Sequence, residues 1–150
     1  GHAGFAIGVT RRALDELAAL APSKTRMGAG TSLAESEPFQ LALARLESRA
    51  ASAAAWTRET FAEAERGALA GEIDLAACTR ARQATVHVTQ EGADIVREAY
   101  LLAGTTALRE GPLQRCFSDL HAGSQHFFAG DFATLDMARD VLAAASAPVG

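Results

Sequence analysis

Residues 38–68 read PFQLALARLESRAASAAAWTRETFAEAERGA, and the spacing within this stretch decides the fold class. Phe39, Leu43, Leu46, Ala50, Ala53, Thr57, Phe61, Ala64 and Ala68 recur every three or four positions, which places them on one face of an α-helix. Pro38 suits a first helical turn, where a missing N–H leaves no bond unmade. About 30 residues at 1.5 Å each span roughly 45 Å. Gly67 and Gly71 then end the helix and Asp74 is placed to cap another. Leu75, Cys78, Ala81, Thr85, Val88, Ile95, Ala99 and Leu102 carry the same period on to Gly104. Two long helices joined by a short link are expected to pair antiparallel, their alanine-rich seams allowing close approach.

Upstream, Phe5, Val9, Ala13, Leu14, Leu17, Leu20 and Ala21 form a further stripe that Pro22 stops, with Arg11, Arg12, Asp15 and Glu16 opposite. Residues 23–37 hold Gly28, Gly30, Thr31, Ser32 and Ser36 and read as a loop. Downstream, a second loop from Thr105 to Gly111 leads to Pro112 and a shorter helix through about Phe127. A last amphipathic piece covers about Asp131 to Ala145. The expected fold is all-α, an antiparallel four-helix-type bundle with an extra short C-terminal helix, formed by residues 1–150 as one domain.

Composition agrees. The 150 residues are 49% hydrophobic and only 6% aromatic, and the apolar share is mostly alanine and leucine rather than strand-favouring residues. A net charge of −4 supplies no positive field for nucleic acid or an anionic membrane. Cys78 and Cys116 form no CxxC and read as two free buried thiols suited to the cytoplasm. Charges interrupt every apolar run well before the roughly 20 residues of a membrane span, and no signal peptide opens the chain. The chain begins Gly1-His2-Ala3-Gly4 and passes straight into a helical pattern, so it is expected to be cut from a larger soluble protein.

The segment GPLQRCFSDLHAGSQH at 111–126 carries most of the chemistry. At 100° per residue, Leu113, Phe117, Leu120, Ser124 and Phe127 fall on one side and Arg115, Asp119, Ala122 and His126 on the other. The polar stripe is either a solvated surface with an Arg115–Asp119 ion pair or a wall against a flat ligand. In the second reading His126 is a proton donor or acceptor working near neutral pH. His121 and His126 point about 140° apart and no HExxH occurs, so no metal site is expected. His2 and His87 read as solvated. Gly104-Thr105-Thr106 reads first as a helix cap, and Arg26 as a solvated loop residue or a phosphate contact.

Several landmarks occur in order: Ala-Leu-Asp-Glu-Leu ending the first helix, Arg26 in the loop before Glu-Pro-Phe-Gln40, and two long helices. Leu-Leu-Ala-Gly-Thr-Thr-Ala-Leu, Pro-Leu-Gln-Arg115 and Ser-Asp-Leu-His-Ala-Gly-Ser-Gln-His126 follow. Over nearly the whole chain this resembles the C-terminal helical domain of the acyl-CoA dehydrogenase superfamily. It is most similar to the monooxygenase branch, which includes two-component flavin hydroxylases and desulfurisation oxygenases. The resemblance implies N-terminal helical and central β domains outside this chain, and a flavin, FMN or FAD, held by the complete protein between domains and partly by a neighbouring subunit of a homodimer or homotetramer. A separate flavin reductase is implied as a partner for two-component members.

The same resemblance implies a flavin-phosphate role for Arg26, a cofactor-facing turn at Ala103, Gly104, Thr105 and Thr106, and cofactor contacts for Arg115 and Asp119. His126 corresponds to the histidine that lies beside the reacting part of the flavin and the substrate. The dehydrogenases differ in having a glycine-rich turn at 103–106 and Arg-Asp at 118–119, where this chain has Ser-Asp. No Gly-Tyr-Glu follows to supply the usual dehydrogenase carboxylate, which favours a monooxygenase acting on an aromatic or apolar substrate. The alternatives are an acyl-CoA dehydrogenase oxidising an acyl thioester and a non-catalytic helical assembly module.

Overall fold

The computed structural model describes residues 1–25, 28 and 30–146, and of Phe128 only the backbone. Five helices follow in order: α1 (His2–Leu20), α2 (Glu37–Leu69), α3 (Leu75–Ala103), α4 (Pro112–Ser124) and α5 (Phe132–Ser146). Their ends have local causes. Ser36 lies in extended backbone ahead of α2, with Pro38 in the first turn. The Asp74 carboxylate accepts the Ala76 N–H at 2.9 Å and caps α3. At the other end of α3, Gly104 takes φ +59°, a conformation in which a side chain would be strained. The loop between α1 and α2 carries an antiparallel bridge, Thr25 to Ser32, and a 3-10 turn at Leu33–Glu35 whose Ser32 and Glu35 cap each other.

α3 is the central element. It buries fourteen of its residues, against six for the longer α2, and packs on all four other helices. Leu14 and Leu17 of α1, Phe39 and Leu46 of α2, Ile95, Val96 and Ala99 of α3, and Leu113, Cys116 and Leu120 of α4 form the main core. Gly92 lets α3 come close to its neighbours: a Cβ there would lie 2.5 Å from Thr10 Oγ1 and 2.8 Å from Leu120 Cδ1. Buried threonines bond within their own helices, as Thr10 does to the Ala6 carbonyl (2.8 Å) and Thr89 to that of Thr85 (2.8 Å), so these hydroxyls are satisfied. Arg11 forks onto Glu47 and joins α1 to α2. Arg49 reaches Glu91 and Glu98 across the α2–α3 pair.

Several sequence expectations change in detail. The first helix starts at His2 rather than Phe5. The inward stripes of the long pair do not stay buried: Phe61 is 47% and Leu75 76% exposed, and Cys78 is exposed while Cys116 is buried. The reason is length, since 33 residues of α2 span roughly 50 Å and 19 of α1 only about 28 Å, so the tip of the long hairpin outruns its cover. The fourth helix ends at Ser124 rather than Phe127, and Phe127 opens a separate 3-10 turn to Ala129. No helix among the described residues is long and apolar enough to cross a membrane.

Candidate functional site

α1 and α4 run antiparallel. The Phe5 ring sits where a Cβ on Gly123 would lie, 2.6 Å from Cε1, while at the other end Leu20 shares a cleft with Pro112 and Leu113. The residues singled out in the sequence fall at three stations along this seam rather than around one cavity.

At the first station α4 stops: the N–H groups of Gln125 and His126 donate to the carbonyls of Ala122 and Gly123, and the His126 carbonyl accepts from Ala129 at 2.8 Å. His126 therefore belongs to a turn, not to a helical stripe with Arg115 and Asp119. Its ring stacks on His2 with centroids 4.8 Å apart and planes at 25°. His2, expected to be solvated, is half-buried, and its Nε2 has no hydrogen-bond partner among the described residues. Burial first, then the neighbouring His126 charge and the chain's terminal amine, hold the His2 pKa below its ordinary value, with the Gly123 carbonyl opposing them. The neutral ring is thereby favoured.

His2 also lines an open cavity of about 290 Å³ whose other walls include Phe61, Thr85, Phe127 and Phe132, with Arg82 among them. The Phe127 and Phe132 rings are 5.7 Å apart. His121 is engaged elsewhere, stacked on Phe117 at 4.1 Å with Nδ1 2.8 Å from the Phe117 carbonyl. His87, also expected to be solvated, is half-buried edge-on to Trp56 at 5.5 Å.

At the second station Arg115 and Asp119 share a cleft of about 320 Å³ with Arg12 and Cys116. Both are exposed, and the ion pair expected between them does not form among the described residues; Arg12 bonds Glu16 instead at 2.7 Å. A pair of exposed side chains gains too little in water to hold one geometry. Burial, helped by Asp119 and Glu16 and opposed by Arg12, raises the Cys116 pKa, which keeps the thiol protonated and inert.

The third station is the turn after α3. Ala103 is buried in the core, whereas Gly104, Thr105 and Thr106 are exposed. Lys24 reaches across from the α1–α2 loop and donates to Thr106 Oγ1 at 2.7 Å. Arg26 lies outside the described residues. At 1.5 Å per residue the seam from Leu20 to His2 is about 27 Å long, so His126 and the Thr106 turn lie at opposite ends of it. Among the described residues no group of three or more His, Cys, Asp or Glu is placed to hold a metal ion.

A family model described as the acyl-CoA dehydrogenase C-terminal domain matches residues 1–130. The chain belongs to this family. Among relatives of this acyl-CoA dehydrogenase C-terminal domain, an indole-3-acetate monooxygenase of Pseudomonas putida is 32% identical over 127 residues, 83% of this chain and 33% of that protein. An indole-3-acetate monooxygenase of Acinetobacter baumannii is 31% identical over 134 residues, 88% of this chain and 34% of the relative. The chain thus spans about a third of the length of these curated relatives. The solved HsaA monooxygenase from M. tuberculosis superposes with a TM-score of 0.80 at 21% identity, covering 97% of this chain and 36% of that one. The 3-HSA hydroxylase from Rhodococcus sp. RHA1 gives 0.76 at 24% identity over 99% and 37%. These two likenesses concern the fold. The matched region includes the 124–130 turn and ends before α5.

Sequence reasoning named His126 but missed His2 as its stacking partner, Arg82 and Phe61 as walls of the cavity that His2 lines, and Lys24 as the partner of Thr106. Each comes from a different helix or loop, and no local spacing joins them.

Proposed function

We propose that this chain is the C-terminal domain of a flavin-dependent monooxygenase that oxygenates an aromatic or similarly apolar substrate, the remaining domains lying elsewhere in the complete protein. The observation that carries the proposal is an imidazole, His126, stacked on a second imidazole that forms part of an aromatic-walled cavity. The relatives named for a monooxygenase activity support the same reading. Among the described residues the cavity walls hold no carboxylate, which favours this activity over the acyl-CoA dehydrogenase alternative, where a positioned carboxylate removes the substrate proton.

The seam fits a flavin by its donor chemistry. The hydroxyls of Thr105 and Thr106 with Lys24 present donors for a polar or anionic tail, and a Cβ at Gly104 would meet nothing within 4 Å, so backbone is open to a ligand there. Arg115 and Asp119 offer an exposed guanidinium and carboxylate midway, and Arg26 is assigned to the cofactor phosphate. FMN or FAD supplies the activation of dioxygen. His126 orients the reacting group and moves a proton at a ring nitrogen, Phe61, Phe127 and Phe132 hold the apolar substrate, and the His2 ring, favoured as neutral, adds no positive charge beside His126.

The test uses the complete protein with reduced flavin and oxygen. His126→Ala is expected to lower oxygenated product roughly 10² to 10⁴-fold with little change in flavin affinity and more hydrogen peroxide released, while His121→Ala stays near wild type. Equal, near-wild-type coupling in both variants removes His126 from the mechanism.

A further inference from the structure

The cavity beside His2 has one formally charged side chain in its wall. Arg82 of α3 stands among Phe61, Phe127 and Phe132, which are 47%, 72% and 69% exposed. Gly1 brings the terminal amine to the same wall, and the other polar side chains there are committed or uncharged: the Thr85 hydroxyl donates to the Ala81 carbonyl at 3.0 Å, and the half-buried His2 is favoured as the neutral ring.

Arg82 itself is held loosely. Its Nη2 lies 3.3 Å from Thr79 Oγ1 and 3.4 Å from Asp136 Oδ2, long for a charge-assisted bond, and its side chain is 55% exposed. Asp136 has a second cation, Arg139, 3.3 Å from its other carboxylate oxygen. A guanidinium carries five donors in a planar fork, so Arg82 has donors to spare, and Asp136 keeps a partner if Arg82 turns toward the cavity. A space of about 290 Å³ is at the small end of small-molecule sites and suits one or two rings against the phenylalanine faces.

We propose that Arg82 anchors a carboxylate carried on a short arm by an aromatic substrate, whose ring occupies the cavity between Phe61, Phe127 and Phe132. This makes the cavity selective for aromatic acids over neutral compounds of the same shape. It rests on the monooxygenase reading for the identity of the ligand as substrate, but the anchor is a binding property and is measured as one.

In the complete flavoprotein, calorimetry compares indole-3-acetate with indole-3-acetamide, which share a ring and differ in the charge of the arm. Wild type is expected to bind the acid tighter. Arg82→Met should weaken the acid roughly 10- to 100-fold and leave the amide within about twofold. Arg82→Lys should restore part of the preference, and Phe61→Ala should weaken both probes alike, with circular dichroism reporting that each variant is folded. An acid preference that survives Arg82→Met overturns the proposal, as does equal affinity of wild type for both probes. Absence of binding by either probe also overturns it, the cavity then being filled by another part of the protein. Arg82-dependent acid binding without any oxygenated product sustains the anchor and defeats the monooxygenase reading. Oxygenation with no Arg82-dependent preference does the reverse.

Discussion

At the residue scale the two stacked imidazoles differ in what surrounds them. His2 has lost part of its water and faces His126 at 4.8 Å, so both rings cannot easily be charged at once. The His2 pKa is expected below 6.5 in the folded chain, and in His126→Ala it should move back up. Proton NMR titration of the two ring Hε1 signals checks this, and an unmoved His2 pKa in the variant would refute the coupling. The sign for stability follows from the same shift: because the folded pKa lies below the unfolded value, the unfolded chain binds more protons just below pH 6.5. The His2 contribution is fully present above that pH and is lost as pH falls through the folded pKa, so stability declines on acidification in wild type and less steeply in His2→Phe.

At the element scale the deciding contacts are the places where helices touch without side chains between them. Gly92 of α3 is buried against Thr10 and Leu120, and neither neighbour can give way, one being β-branched and the other fully buried in the core. Gly92→Ala is expected to destabilise by about 1–2 kcal/mol, overpacking outweighing the gain in helix propensity. Gly4→Ala on the exposed face of α1, where a Cβ meets nothing, should instead gain about 0.5–1 kcal/mol. Thermal unfolding of the two variants tests the contrast; equal effects would show that the α1–α3–α4 crossing is loosely packed.

At the scale of the whole molecule, the long hairpin and α5 leave apolar groups uncovered. Leu69, Ile73 and Leu75 at the hairpin tip are 83%, 79% and 76% exposed, and Leu135, Val141 and Leu142 of α5 are also exposed. Apolar surface of this kind favours association between copies. The chain is expected to self-associate, sedimentation equilibrium giving a mass that rises with concentration, and Ile73→Glu with Leu75→Glu should shift it toward monomer. A concentration-independent monomer in wild type would refute this.

Much of this architecture was legible locally. The stripe from Phe39, the Asp74 cap and the Gly104 stop are set by interactions within four residues, so periodicity and capping chemistry were enough to place α2 and α3. The role proposed for His126 rests on the resemblance carried by the 118–126 segment, and the helix there ends two residues before it. What only the tertiary structure decided is which elements meet. His2 against His126, Lys24 on Thr106 across 82 residues, and Arg82 among phenylalanines from α2, α5 and a 3-10 turn all join distant segments. A hydrophobic stripe states that a face is buried, but the partner it finds depends on relative helix lengths, on the close crossing that Gly92 permits and on where each chain reversal falls, and these emerge only when all the helices pack at once.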